Sequence, residues 1–111
     1  MIRLMTPEDR YVELVRSFLG TPGVTQEGRG FGSDALKVDG RIFAMVSSRG
    51  QFVVKLPRKR VDQLVAAGEG KRFDPGHGRL MKEWLALGPA SSLDWQPLAE
   101  EARRFVGSRR P

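Results

Sequence analysis

The side chains in this sequence with the clearest chemical potential are cations. Arg58-Lys59-Arg60 follows Pro57 directly, where the flanking pattern predicts the first turn of a short helix. Each cation there opposes the positive end of the helix dipole, at a cost of roughly 0.3 to 1 kcal/mol at low salt. A phosphate would relieve that cost and also meet the free N–H groups of the turn. The plainer alternative is a solvated face whose cations point away. Lys37, Arg41 and Lys55 lie on neighbouring predicted strands and would extend such a patch. With Ile42 and Val53 beside them, they would equally rim a dimer face.

Charge concentrates in this region. Residues 31 to 60 carry Lys37, Arg41, Arg49, Lys55, Arg58, Lys59 and Arg60 against only Asp34 and Asp39, whereas the rest of the chain is close to balance. Over all 111 residues, 19 Lys and Arg against 13 Asp and Glu give a net charge of +6, which favours polyanionic partners over acidic ones. Most of the cations are Arg, suited to bidentate phosphate contact, although a GC-rich genome enriches Arg as well.

Other chemistry finds little support. The absence of cysteine excludes disulfides, thiolate metal sites and thiol nucleophiles, and points to a reducing cytoplasm. His77, the single histidine, sits in Pro75-Gly76-His77-Gly78 with no second ligand nearby and reads as a surface loop residue. Gly28-Arg29-Gly30-Phe31-Gly32 neither follows a clear strand nor opens a helix with Lys-Ser/Thr, as a phosphate-binding glycine loop would. Asp34, Asp74, Glu83 and Ser47-Ser48 form no paired-carboxylate or triad spacing. The expectation is a non-catalytic module with no metal site and no cofactor. There is no run of 18 apolar residues and no signal-peptide core, so neither a membrane partner nor a secretion route is expected.

The elements that must carry these residues are legible. Thr6-Pro7-Glu8-Asp9 has the form of a helix start, and Tyr11, Val12, Leu14, Val15, Phe18 and Leu19 follow at helical spacing. Residues 24 to 33 read as a loop or irregular edge. Strands are predicted at Asp34 to Val38, Arg41 to Ser48 and Gln51 to Leu56, joined by two-residue turns at Asp39-Gly40 and Arg49-Gly50. That register sets Leu36 opposite Phe43 and Met45 opposite Val54. It places Ala35, Ile42, Ala44, Val46 and Val53 with Lys37 and Lys55 on the second face. A short helix from Pro57 to Gly68, a turn-rich connection from 69 to 79 anchored by Phe73, and a strand from Leu80 to Leu87 come next. A last helix carries Trp95, Leu98, Ala102, Phe105 and Val106. Trp84 fits either face by alternation, with core burial expected, and Trp95 is expected in the core. The class is α+β: an antiparallel sheet of about four to five strands with helices packed on one face. One domain spans 1 to 111, with 107 to 111 a short basic tail.

Phe31-Gly32, the run Leu36-Lys37-Val38-Asp39-Gly40-Arg41-Ile42-Phe43-Ala44, Val54-Lys55-Leu56-Pro57 and Arg60-Val61 together resemble the MmcQ/YjbR family. Lys82 to Leu87 resembles its tryptophan-bearing strand and Trp95 to Phe105 its terminal helix, so the likeness runs in order from 7 to 106. The related TfoX N-terminal domain shares the hairpin spacing, but Gly30-Phe31-Gly32-Ser33 departs from its pattern. The resemblance implies a CyaY-like α+β sandwich and a DNA-binding role, and it transfers no catalytic residue. The acidic ridge on which frataxins of that fold gather iron is missing, because Arg10 and Arg16 offset Glu8, Asp9 and Glu13. The expected partner is therefore nucleic acid, contacted at its phosphates by Arg58, Lys59, Arg60, Lys37, Lys55 and Arg41. The alternative is a protein partner or homodimer meeting the open sheet face through Ile42, Ala44, Val46 and Val53.

Overall fold

The first helix begins where its sequence says it should. The Thr6 hydroxyl accepts from the Asp9 N–H at 3.1 Å, and the Asp9 carboxylate accepts from the Thr6 N–H at 3.2 Å. This reciprocal box answers two N–H groups that the helix leaves open. The computed structural model describes residues 6–26, 35–47, 49–74, 81–88 and 93–108. Within them α1 (Pro7–Phe18) buries Tyr11, Leu14, Val15 and Phe18.

Six strands among the described residues form one sheet: β1 (Val24–Thr25), β2 (Leu36–Val38), β3 (Arg41–Val46), β4 (Phe52–Lys55), β5 (Lys71–Phe73) and β6 (Met81–Leu87). Their order is β1-β2-β3-β4-β6-β5, and every neighbouring pair is antiparallel. Between β4 and β5 comes α2 (Arg58–Ala66), and α3 (Trp95–Ser108) follows β6. The α+β class is as expected. The strand count is higher because β1 and β5, two and three residues long, arise in segments that read as loop. Strands that short exist by pairing with a neighbour and leave no periodic signal of their own.

The two hairpins behave differently. Asp39 and Gly40 take φ of +52° and +81°, the two left-handed residues of a type I′ turn, and Val38 faces Arg41 as expected. At the second hairpin Ser47 N–H donates to the Gln51 carbonyl at 2.8 Å and Gly50 N–H to the Ser47 carbonyl at 2.9 Å. With Gly50 at φ +75°, this connection is one residue longer than a two-residue turn. The register therefore slides by one: Met45 faces Val53, while Ala44 faces Val54 and Val46 faces Phe52. An irregularity between β2 and β3 adds to this, because Leu36 faces Ala44 while Lys37 faces Ile42. Phe43 is the extra residue, so Phe43 and Ala44 both turn toward the helices, as a bulge allows. Ala44 and Val46 thus leave the second face, where the two-residue reading put them, and Met45 joins it. A one-residue slip exchanges the faces of a strand.

Leu36, Val38, Phe43, Phe52, Val54, Leu85 and Leu87 form the floor of the main core under the three helices. Phe18 meets Phe43 edge-on at 5.6 Å between ring centroids, and Trp95 stacks on Phe52 at 4.4 Å with 6° between the planes. The Arg10 guanidinium lies 4.1 Å from the Trp95 ring centre, and the Tyr11 hydroxyl donates to the Ala44 carbonyl. Trp95 is a core residue, as expected. Fully burying a side chain such as Phe43 or Phe52 stabilises by about 1.5 to 3 kcal/mol. The terminal helix runs further than expected: Gly107 is helical, and a β-carbon there would lie 3.5 Å from Val38, so the tail cannot begin at 107. Residues 109 to 111 lie outside the described residues.

Candidate functional site

The chain leaves β4 through Leu56-Pro57 straight into α2. Pro57 occupies the N-cap at φ −54°, ψ 143° and supplies no side-chain cap, and the first turn contains no acid. The opening N–H groups of α2 are thus unanswered by any side chain of that cap. Arg58 and Lys59 are exposed, and among the described residues no ion pair or hydrogen bond engages their side chains.

Arg60 does otherwise. Its Nε and Nη2 donate to the two carboxylate oxygens of Glu101 on α3, at 3.0 and 3.2 Å. Helical geometry advances about 100° per residue, so Arg60 points some 200° away from Arg58 and reaches the neighbouring helix. The run of three cations divides into two that face solvent and one that ties α2 to α3.

Two of the strand cations, Lys37 and Lys55, lie on the face turned away from the helices. Lys37, half-buried, pairs with Ile42, and Val38 beside it enters the helix-side core. Lys55 faces Trp84 across β4 and β6; its ammonium lies 5.3 Å from the ring centre and 4.0 Å from the Glu83 carboxylate. Arg41 is exposed just after the type I′ turn. Continuing the β3–β4 register from Ala44 opposite Val54 puts Ile42 level with Leu56, two residues before Arg58. The turn between β2 and β3, the end of β4 and the start of α2 therefore occupy one end of the sheet. Lys37, Arg41, Lys55, Arg58 and Lys59, spread over more than twenty positions of sequence, all lie toward that end.

The second face has its own small cluster. Val53, Phe73 and Ala86 are buried in it, and Met45 and Trp84 pack against it half-exposed. Trp84, expected in the core, is placed here because β4 and β6 pair Lys55 with Trp84 and Val53 with Ala86. Lys71, opposite Ala86 on β5, adds a third lysine to this face. Nothing in the sequence singled it out, since β5 itself was not legible.

The remaining candidates resolve simply. The Ser47 hydroxyl accepts from the N–H groups of Arg49 and Gln51 and so shapes its turn, while Arg49 donates to the Asp74 carbonyl at 3.0 Å. Glu83 stands beside Lys55. His77, the glycine-rich 28–32 segment, Asp34 and Ser48 lie outside the described residues. Among the described residues no three His, Cys, Asp or Glu side chains come together as a metal site would need, and no helix is long and apolar enough to cross a membrane. On α3 a hydrogen bond from Arg103 holds the Glu100 carboxyl below its usual value and raises Arg103 in turn. No family model, no curated protein and no solved structure matches the chain.

Proposed function

We propose that this chain is a small cytoplasmic binding module, of the MmcQ/YjbR kind that its sequence resembles, which holds nucleic acid by its phosphates and catalyses no reaction. The observation that carries the reading is the gathering of cations from β2, β4 and the start of α2 at one end of the sheet. Arg58 and Lys59 there stand beside a helix start that lacks a side-chain cap. Lys37, Lys55, Arg58 and Lys59 are the contacts, with Arg41 at the rim. Arg60 holds the platform together through Glu101. Contacts of this kind position a phosphate backbone and carry no base sequence.

The competing reading is a protein partner or second copy on the sheet face turned away from the helices, supported by the half-exposed Met45 and Trp84. Lys37, Lys55 and Lys71 on that face oppose self-association, because two copies would set like charges together. Anisotropy of labelled duplex and single-stranded DNA at about 50 and about 200 mM salt separates the readings. Binding that falls steeply with salt, and is lost in an Arg58→Glu/Lys59→Glu variant, is the expected result. Absence of binding at low salt by folded protein overturns it, and a complex that tightens as salt rises points to the apolar protein interface.

A further inference from the structure

We infer that the sheet face turned away from the helices is a stacking platform for single-stranded nucleic acid, with a base laid on Trp84 and flanking phosphates received by Lys55, Lys71 and Lys37. The inference rests on the phosphate reading above and adds the strand form and the surface that selects it.

Trp84 is held firmly and yet reachable. Its indole packs on the buried trio Val53, Phe73 and Ala86 but stays half-exposed, so its position is fixed while part of the ring meets solvent. Lys55 reaches it from the directly opposed position on β4, with its ammonium over the ring. The indole therefore presents its π-face, the surface on which a base stacks. An exposed cation–π contact is weaker than base–aromatic stacking, and the four-carbon stem of Lys55 lets the ammonium swing from ring to phosphate as a base arrives.

The lysines flank this ring on both sides. Lys37 on β2 and Lys71 on β5 are four strand spacings apart, about 19 Å across the sheet at roughly 4.8 Å each, and offset by about three residues along the strands, with Lys55 and Trp84 between them. A few unpaired nucleotides span that track. Charge and shape together choose the occupant. A second copy would bring lysine against lysine, an acidic peptide would leave the indole face without a planar partner, and a duplex keeps its bases inside its own stack. A single strand satisfies both the cations and the ring.

The test uses the full chain with an oligothymidylate of about 12 nucleotides and a duplex of equal length, comparing wild type with Trp84→Leu, Trp84→Phe, Lys71→Glu and Arg58→Glu/Lys59→Glu. Trp95 is buried, so acrylamide quenching reports Trp84. The single strand is expected to shield Trp84 and to bind about tenfold more tightly than the duplex. Trp84→Leu should lose about that factor for the single strand alone, and Trp84→Phe should keep most of it. Lys71→Glu, at an exposed position, should weaken single-strand binding even if Trp84→Leu fails to fold. Equal binding of both forms, unmoved by Trp84→Leu and Lys71→Glu but weakened by Arg58→Glu/Lys59→Glu, overturns this inference and leaves the phosphate reading standing. No binding of either form by folded protein overturns both. Self-association that Trp84→Leu abolishes, with no shielding by the oligonucleotide, assigns the face to a second copy and overturns the inference.

Discussion

Replacing Arg58 and Lys59 together by glutamine removes two phosphate contacts without reversing their charge, and the structure says how large the effect should be. Among the described residues, Lys37, Arg58 and Lys59 reach solvent at this end of the sheet without an ion pair, and Lys55 does so beside Glu83, 4.0 Å away, so about four phosphates are neutralised on binding. Each released counterion contributes about −0.9 to the slope of log affinity against log salt on duplex DNA, giving a slope near −3.6. Between about 50 and about 200 mM salt, wild-type affinity should drop roughly 150-fold, and that of the double variant only about 12-fold. Arg60→Gln is the internal control. Its guanidinium is committed to Glu101, so the slope should stay at the wild-type value. The pair is about 40% exposed on each side, and its loss should cost no more than about 1 kcal/mol. Anisotropy titrations at four or more salt concentrations read the slopes, and urea melts read the stabilities. The reasoning is refuted if Arg60→Gln flattens the slope as much as either exposed position does, or if the double variant leaves it unchanged.

Three predictions concern the frame that holds this surface. Trp95→Ala should cost about 3 to 5 kcal/mol in urea unfolding, because it deletes the ring stacked on Phe52 and under Arg10; a loss below 1 kcal/mol would deny it a core role. Gly70→Ala should destabilise by roughly 1 to 3 kcal/mol, since a β-carbon there would lie 2.9 Å from the Leu85 and Leu87 side chains and 3.0 Å from the Ala86 carbonyl. A wild-type melting curve for that variant would mean that β5 does not approach β6 so closely. Glu100→Gln removes a carboxylate whose acidity is raised by the hydrogen bond from Arg103, so that its folded pKa lies below the usual 4.5. That carboxylate stabilises the fold fully above the usual value and loses its contribution as pH falls through the depressed one. The stability gap between wild type and Glu100→Gln should therefore be present at neutral pH and close in acid. A gap that widens in acid would reverse the assignment.

The class of fold and much of its punctuation follow from local sequence. Thr6-Pro7-Glu8-Asp9 closes its own capping box and Asp39-Gly40 forms the type I′ turn its chemistry demands, each through contacts within a few residues, and the helical spacing around Trp95 marks the apolar stripe in which it sits. The concentration of cations between 31 and 60 was also there to be read. Register and partnership, by contrast, came from contacts distant in the chain. One extra residue in the Ser47–Gln51 connection and the bulge at Phe43 exchanged Ala44 and Val46 for Met45 on the second face. Pairing of β6 with β4 carried Trp84 there as well, and β5, too short to announce itself, brought Lys71. Glu101, forty-one residues away, took Arg60 out of a run of three cations that look equivalent on paper. Local chemistry fixes caps and turns because its partners are near in sequence. Which cation stays in solvent, and which aromatic ring shares its face, depends on strands and helices that meet only once the chain has folded.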